Sequence, residues 1–133
     1  MFDHERLDVY KVELEFVAWV NDLFEFLSQM PTARTREICD HLDRASLSIL
    51  FNTAEGNGKR QKQIRSKFFD DARGSATERA AALDALVAKR LVTKEQIQAG
   101  KELLERIVSM LTKLVQLYDA ERKVMEDSER YDS

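Results

Sequence analysis

Residues 46–60 read SLSILFNTAEGNGKR, a stretch that passes from an apolar helical face to two glycines and then into a run of cations. Ile49 and Asn52 stand at helical spacing on that face. Gly56 and Gly58 are predicted to end the helix, because glycine adopts left-handed backbone angles without a Cβ penalty. The stretch therefore predicts a junction between two long helices, the second of which begins with basic residues.

Apolar residues recur with a helical period on both sides of this junction. The predicted helices span residues 8–29, 35–55, 61–89 and 94–119, and residues 120–133 form a polar tail that is expected to fray. No segment alternates apolar and polar residues with a period of two, so no strand is predicted. Because the connections are short, we expect one all-α domain over residues 1–133, an antiparallel up-down-up-down four-helix bundle.

Residues with a preference for helix ends mark the boundaries. Asp8 and Thr35 are predicted to cap the first two helices, and Pro31 is predicted to stop the first one. Thr93 and Gln96 form the strongest cap, because a threonine followed three residues later by a glutamine can satisfy two backbone amides reciprocally. This pair predicts that the fourth helix begins at residue 94.

Gly74 and Ser75 interrupt the third predicted helix. A glycine inside a helix costs about 1 kcal/mol relative to alanine. Small residues at Ala72 and Ala76 flank the pair, which permits close approach of a neighbouring backbone. We therefore predict a packing notch at Gly74 and Ser75.

Composition and charge restrict the class of protein. A chain of 133 residues with 44% hydrophobic and 34% charged residues is long enough for one domain with a buried core. The single cysteine, Cys39, excludes an internal disulfide and suits a reducing cytoplasm, and we expect it to be a small packed residue. No signal-peptide pattern and no apolar run of roughly 20 residues occurs, so we expect a cytoplasmic protein without membrane contact.

The first and fourth predicted helices are more apolar than a monomeric bundle requires. Apolar residues cover roughly 240° of the first helix, whereas an amphipathic helix needs a stripe of about 100°. In the fourth helix Ile97, Leu104 and Leu111 repeat every seven residues, and a second series lies beside them. Another copy of the chain is the simplest cover for such faces, so the pattern predicts a homo-oligomer.

The sequence contains no pattern of catalytic or metal-binding residues. Of the two histidines, His4 lies in the leader, and His41 follows Glu37 by four residues rather than the three of a di-metal Glu-x-x-His motif. No serine or cysteine nucleophile has a plausible histidine and acid beside it. Residues 56–59, GNGK, lack the spacing of a phosphate loop and follow a helix rather than a strand. We therefore expect no enzyme activity, no cofactor and no metal, with His41 at the surface.

The basic run after the junction is the one candidate binding surface. Five cations and no acid occur between Gly58 and Phe69, namely Lys59, Arg60, Lys62, Arg65 and Lys67. Arg73 is a sixth candidate. Repeated around a symmetric oligomer, such a patch could hold a nucleic-acid backbone or an enzyme that acts on nucleic acid. The net charge of -3 keeps an alternative open, a structural or protein-interaction scaffold without a nucleic-acid role.

Asn52 and Glu55 lie near the end of an otherwise apolar face and admit two interpretations. They form a polar site inside the assembly, or they cap the helix junction through hydrogen bonds, with Lys59 or Arg73 pairing Glu55. We favour the second. The predicted structural junction then consists of Asn52, Glu55, Gly56, Gly74 and Ser75.

Several motifs resemble those of the bacterial four helix bundle proteins, also called the 23S ribosomal RNA intervening-sequence proteins. They are LDVY at residues 7–10, RASLSI at 44–49 with NTAEG at 52–56, and ARGSATE at 72–78. The resemblance covers roughly residues 7–118. This chain departs from it at Thr53, where the family more often has isoleucine, and in the unusually basic start of its third helix.

The resemblance implies an antiparallel four-helix bundle that assembles as a homopentamer around a central channel, without enzyme activity. Genes of the family include some inside ribosomal RNA insertions. A related branch serves as the accessory protein of diversity-generating retroelements and resembles a basic pentamer that engages a reverse transcriptase and nucleic acid. The implied partners are therefore RNA, DNA or a reverse transcriptase.

Overall fold

The computed structural model describes residues 1–29 and 33–132. After a short 3-10 helix at Asp3–Arg6 come four long helices, α1 (Asp8–Ser28), α2 (Ala33–Gly58), α3 (Lys62–Ala88) and α4 (Lys94–Asp132). These described residues contain no strand. The prediction of an all-α protein with four helices is therefore confirmed.

Each long helix packs against two others. α1 and α3 both contact α2 and α4, and over the described ranges no close backbone contact joins α1 to α3 or α2 to α4. Hydrogen bonds show the relative direction of α3 and α4, since Ser66 donates to Asp119 whereas Lys101 donates to Asp84. From the first pair to the second, the residue number rises along α3 and falls along α4, as expected for antiparallel neighbours.

The hydrophobic core lies between the four helices. Each helix contributes residues at intervals of three and four, which places them on one face. The largest fully buried apolar side chains are Phe16, Phe69, Leu27, Leu42, Ile49, Leu83, Leu86, Leu104, Ile107 and Leu111. Over the described ranges no helix combines the length and the apolarity that a membrane span needs.

The beginnings of the helices test the predicted caps. Thr93 and Gln96 form the expected reciprocal pair, with Gln96 Oε1 accepting from the Thr93 amide at 2.7 Å and Thr93 Oγ1 accepting from the Gln96 amide at 3.2 Å. The predictions for Asp8 and Thr35 are wrong. Leu7, which has an extended backbone, occupies the cap position of α1, and α2 already begins at Ala33. The predicted stop at Met30 and Pro31 lies outside the described residues.

Of the two glycines predicted to end α2, Gly58 does lie at its end, but the predicted last residue of the helix, 55, is wrong. The helix continues to Gly58, and none of the four glycines has a positive φ. Gly56 serves a different purpose, because a Cβ at this position would lie only 2.9 Å from Cβ of Phe68. Its lack of a side chain is required by the close approach of α3 and not by a turn.

The left-handed backbone conformation occurs instead after α3. Arg90 has a φ of 62°, and the amide of Leu91 donates to the carbonyl oxygen of Leu86 at 3.1 Å. This hydrogen bond closes the C-terminus of α3 at Ala88, one residue before the predicted end.

The fourth helix is longer than predicted. α4 continues to Asp132, so its predicted end at residue 119 is wrong. The polar composition of residues 120–133 suggested a tail, but neither glycine nor proline occurs after Gly100 to interrupt a helix. Because Asp119 meets Ser66 near the start of α3, the last residues of α4 extend beyond α3 by roughly 15 Å at 1.5 Å per residue.

Gly74 forms no packing notch within a single chain. The residue is exposed, and a Cβ placed on it would meet nothing within 4 Å, while Ser75 is half-buried. The close approach occurs at Gly100 of α4, where the indole ring of Trp19 lies against the backbone. The predicted notch at Gly74 is wrong for one chain because the side of α3 on which Gly74 lies faces outward.

Candidate nucleic-acid interface

The α2–α3 junction is held by aromatic packing. Gly56 lies against Phe68 and Phe69, and the Gly56 carbonyl oxygen accepts a hydrogen bond from the Lys59 amide at 3.2 Å. The Lys59 ammonium lies 5.5 Å from the centre of the Phe68 ring, which is within the range of a cation–π interaction. The start of the basic run is therefore fixed in position by the first turns of α3.

Arg65 ties the junction to α4. Its Nε donates to the Lys59 carbonyl oxygen, and its Nη1 donates to the Tyr118 hydroxyl at 3.1 Å. The guanidinium carbon also lies 5.6 Å from the centre of the Tyr118 ring. Beside it, Ser66 donates to Asp119 at 2.7 Å. Arg65 is half-buried, and its two hydrogen bonds connect the α2–α3 junction to α4.

The remaining cations of the basic run differ in their surroundings. Lys59 pairs with Glu55 at 3.5 Å. Arg60, Lys62 and Lys67 are exposed, and Arg60 and Lys67 form no ion pair with any residue that the structure describes. The junction therefore presents several cationic side chains to solvent.

The geometry of α3 separates the predicted cations into two groups. Lys62 and Lys67 are five residues apart, which corresponds to about 140° around a helix, so they point in different directions. The densest positive charge lies at residues 59–62. Arg73, three turns along α3 from Lys62, forms an ion pair with Asp70.

The polar residues of the predicted structural junction lie on α2. Asn52 is half-buried, and its Nδ2 lies 3.4 Å from Ser48 Oγ within the same helix. Glu55 is exposed and makes the expected ion pair with Lys59. The alternative partner for Glu55, Arg73, is paired with Asp70 instead.

The N-terminal 3-10 helix lies at the same end of the bundle, a placement that sequence reasoning missed. Asn57, which is buried near the end of α2, donates through Nδ2 to Asp3 at 3.0 Å. The rings of Phe2 and His4 stack with their centres 5.8 Å apart. His4 therefore belongs to an aromatic pair at the same end of the bundle as the basic run.

A buried carboxyl group in the core was also missed by sequence reasoning. Glu13 is 1% exposed, and its Oε2 accepts a hydrogen bond from the Thr53 hydroxyl at 2.6 Å. Burial raises the pKa of Glu13 to about 8, although the hydrogen bond from Thr53 acts in the opposite direction. A signal was present, because Glu13 lies four residues after Val9 and three before Phe16 on the core stripe of α1.

Arg79 is a second buried polar residue on a core stripe. Its Nη2 lies 3.1 Å from Glu78, but Nε and Nη1 are buried without a hydrogen-bond partner in the described part of the chain. The residue follows Ala76 by three positions and precedes Leu83 by four, which places it on the inner face of α3. The same spacing could have identified it from the sequence.

The remaining candidates for chemistry lie apart from the junction. His41 is exposed, as predicted. Cys39 is half-buried, and burial, followed by the nearby charge of Asp40, raises the pKa of its thiol and so disfavours the reactive thiolate. Within the described ranges no three histidine, cysteine, aspartate or glutamate side chains form a group that could hold a metal ion.

Comparison with known proteins identifies the family. Residues 5–113 match the family model of the 23S rRNA-intervening sequence protein. The chain belongs to this family. This match confirms the family resemblance that the sequence motifs indicated.

Two further comparisons concern the fold and curated proteins. The chain is similar in structure to a solved protein of unknown function from Bacteroides thetaiotaomicron, which belongs to the S23 ribosomal protein family. The TM-score is 0.71 at 21% sequence identity, over 80% of this chain and 97% of that chain. At this identity the likeness shows the shared fold alone. No curated protein matches the chain significantly.

Proposed function

We propose that this protein is a non-enzymatic, homo-oligomeric binding protein of the cytoplasm that holds nucleic acid at the α2–α3 junction. The observation that carries the proposal is the exposure of Arg60, Lys62 and Lys67 at a junction with no acid between Gly58 and Phe69. Phosphate contacts by such cations supply most of the affinity of sequence-independent nucleic-acid binding.

The start of α3 adds to the attraction for an anion. Gln61, at the cap position, makes no side-chain hydrogen bond to the backbone of the helix. The first amides of a helix carry a partial positive charge, so cations there repel the helix dipole and a phosphate group stabilises both. The proposal includes as an additional partner an enzyme that acts on the bound nucleic acid, such as the reverse transcriptase of a diversity-generating retroelement, because the family resemblance implies one.

Exposed apolar side chains support the homo-oligomeric part of the proposal. Leu14, Phe26, Phe51 and Leu117 remain exposed on the surface of one chain. A second copy that covers them would remove apolar surface from water. The pentamer implied by the family resemblance predicts a mass of five times 15.4 kDa. Light scattering after gel filtration at micromolar concentration measures the mass of the oligomer. The mass of a monomer would contradict the proposal.

A structural or protein-interaction scaffold without a nucleic-acid role is the alternative function. Phe51, with 59% of its surface exposed, favours this alternative, because an exposed aromatic side chain is a common anchor in protein interfaces. The net charge of -3 is also consistent with it. The two functions differ in whether nucleic acid binds at all.

A charge-reversal experiment separates the two functions. The variant Arg60→Glu, Lys62→Glu, Lys67→Glu replaces three exposed cations and leaves the half-buried Lys59 and Arg65 in place. Its matched control, Lys89→Glu, Lys94→Glu, Arg106→Glu, reverses three exposed cations elsewhere. Fluorescence anisotropy with labelled RNA and DNA over a range of salt concentrations measures the affinity.

We expect the junction variant to lose most of its affinity and the control variant to retain it. The slope of log affinity against log salt should also fall by about 2, since each lost phosphate contact removes about 0.7 to 0.9. An unchanged affinity in the junction variant would overturn the proposed site, whereas the absence of any binding by the parent protein would overturn the proposal and leave the scaffold function.

A further inference from the structure

The N-terminal segment places an aromatic surface at the same end of the bundle as the basic junction. The hydrogen bond from Asn57 to Asp3 holds the 3-10 helix against the last turn of α2. Asn57 precedes Lys59 by two residues, so Phe2 and His4 lie at the same end of the bundle as the cations at residues 59–62. This proximity depends on the tertiary structure, since more than fifty residues separate the two segments.

The aromatic rings are ordered by contacts on both sides. Phe2 and His4 stack with an angle of 16° between their planes, and the His4 and Tyr10 rings meet edge to face with their centres 4.8 Å apart. The Phe2 amide also donates to Glu5 at 3.2 Å. Phe2 nevertheless remains 74% exposed, so part of the aromatic surface is accessible from solvent.

Proteins that bind single-stranded nucleic acid combine two elements, cations and flat aromatic surfaces beside them. The cations hold the phosphate backbone, and the rings stack on bases without regard to sequence, because every base has a π face. A duplex cannot use such rings in the same way, since its bases stack on one another.

We propose that Phe2 and His4 form a stacking platform for an unpaired base, and that the protein therefore binds single-stranded nucleic acid in preference to duplex. The inference rests on the proposed function, because the cations at residues 59–62 hold the backbone of the strand whose base stacks on Phe2. It adds to that function the class of nucleic acid and a second set of contact residues.

The test uses the full chain and three binding partners, namely single-stranded RNA, single-stranded DNA and a duplex of the same sequence, each about 12 nucleotides long. Phe2→Ala removes the platform, whereas Phe2→Trp retains an aromatic face. We expect Phe2→Ala to weaken single-strand binding about 5- to 150-fold and to leave duplex binding and the salt slope unchanged. Phe2→Trp should bind the single strands like the parent protein.

A base analogue gives an independent signal for stacking. Oligonucleotides containing 2-aminopurine should lose fluorescence on binding the parent protein and not on binding Phe2→Ala. Equal affinity of the parent protein for duplex and single strands, or unchanged single-strand binding by Phe2→Ala, would overturn the platform. If only the junction charge reversal weakens binding, the platform fails and the proposed function stands. If only Phe2→Ala weakens binding, base stacking on Phe2 stands, but the basic junction does not hold the backbone and the proposed function fails.

Discussion

The hydroxyl group of Thr53 lies 2.6 Å from Oε2 of Glu13 and joins α2 to α1 inside the bundle. The same hydroxyl lies 3.1 Å from the carbonyl oxygen of Ile49. A hydroxyl group has one proton, so it cannot donate fully to both acceptors. Thr53 donates to Glu13 when the carboxylate is ionised, but a protonated Glu13 can donate to Thr53 instead, which leaves the threonine proton for Ile49. The arrangement therefore suits a neutral carboxyl group, in agreement with a pKa of about 8.

Stability should consequently fall as the pH rises. The folded pKa of Glu13 is about 8 against an ordinary value of 4.5, so the native state holds this proton more tightly than the unfolded state. The contribution of Glu13 is complete below pH 4.5 and is lost as the pH rises through about 8, at no more than about 1.4 kcal/mol per pH unit. Thermal unfolding, monitored by circular dichroism at several pH values between about 5 and 9, measures this loss of stability.

Glu13→Gln should remove most of this pH dependence, because the amide is neutral at every pH in the range. The matched control is Glu15→Gln, which changes an exposed carboxyl group on the same helix. It should retain the slope of the parent protein. Equal slopes in the two variants would show that Glu13 is not the group responsible.

Alanine substitutions at two glycines should have opposite effects on stability. Gly56→Ala places a Cβ 2.9 Å from Cβ of Phe68 and is expected to cost about 1–3 kcal/mol. Gly74→Ala meets nothing within 4 Å on an exposed helix, so it should stabilise the protein by up to about 1 kcal/mol. Urea unfolding gives both values, and a stabilising Gly56→Ala would refute the close approach of α3.

Arg79 can be replaced by methionine with little loss of stability. Methionine retains much of the buried volume and removes two nitrogen atoms that lack hydrogen-bond partners among the described residues, so the melting temperature should stay the same or rise. Arg79→Ala leaves a cavity and should cost about 2 kcal/mol or more. A loss of more than about 3 kcal/mol in Arg79→Met would instead reveal a strong partner for the guanidinium group.

Tyr118→Phe should loosen the attachment of Arg65 to α4. The substitution removes the hydroxyl that accepts a hydrogen bond from Arg65 at 3.1 Å, and we expect a cost of about 1 kcal/mol. Tyr10→Phe serves as the control, because the observed contact of Tyr10 with His4 uses its ring. Chemical unfolding measures both variants. Equal stability of the two would mean that the Tyr118 hydroxyl contributes nothing.

The sequence by itself determined the features that depend on neighbours along the chain. The reciprocal cap of Thr93 and Gln96 was predictable because both partners lie within one helical turn. The four helices were predictable from their apolar period, and the basic run was visible directly. The length of α4 was mispredicted because a polar composition does not itself end a helix.

Only the tertiary structure decided how these helices use their residues. Gly56 and Gly74 are the same residue type, yet one lies against Phe68 and the other faces outward. Glu13 becomes a buried acid and Arg65 an attachment to Tyr118 through partners that lie 40 and 53 residues away. The physical reason is that burial and close approach depend on how each helix is rotated against its neighbours, which the local sequence does not specify.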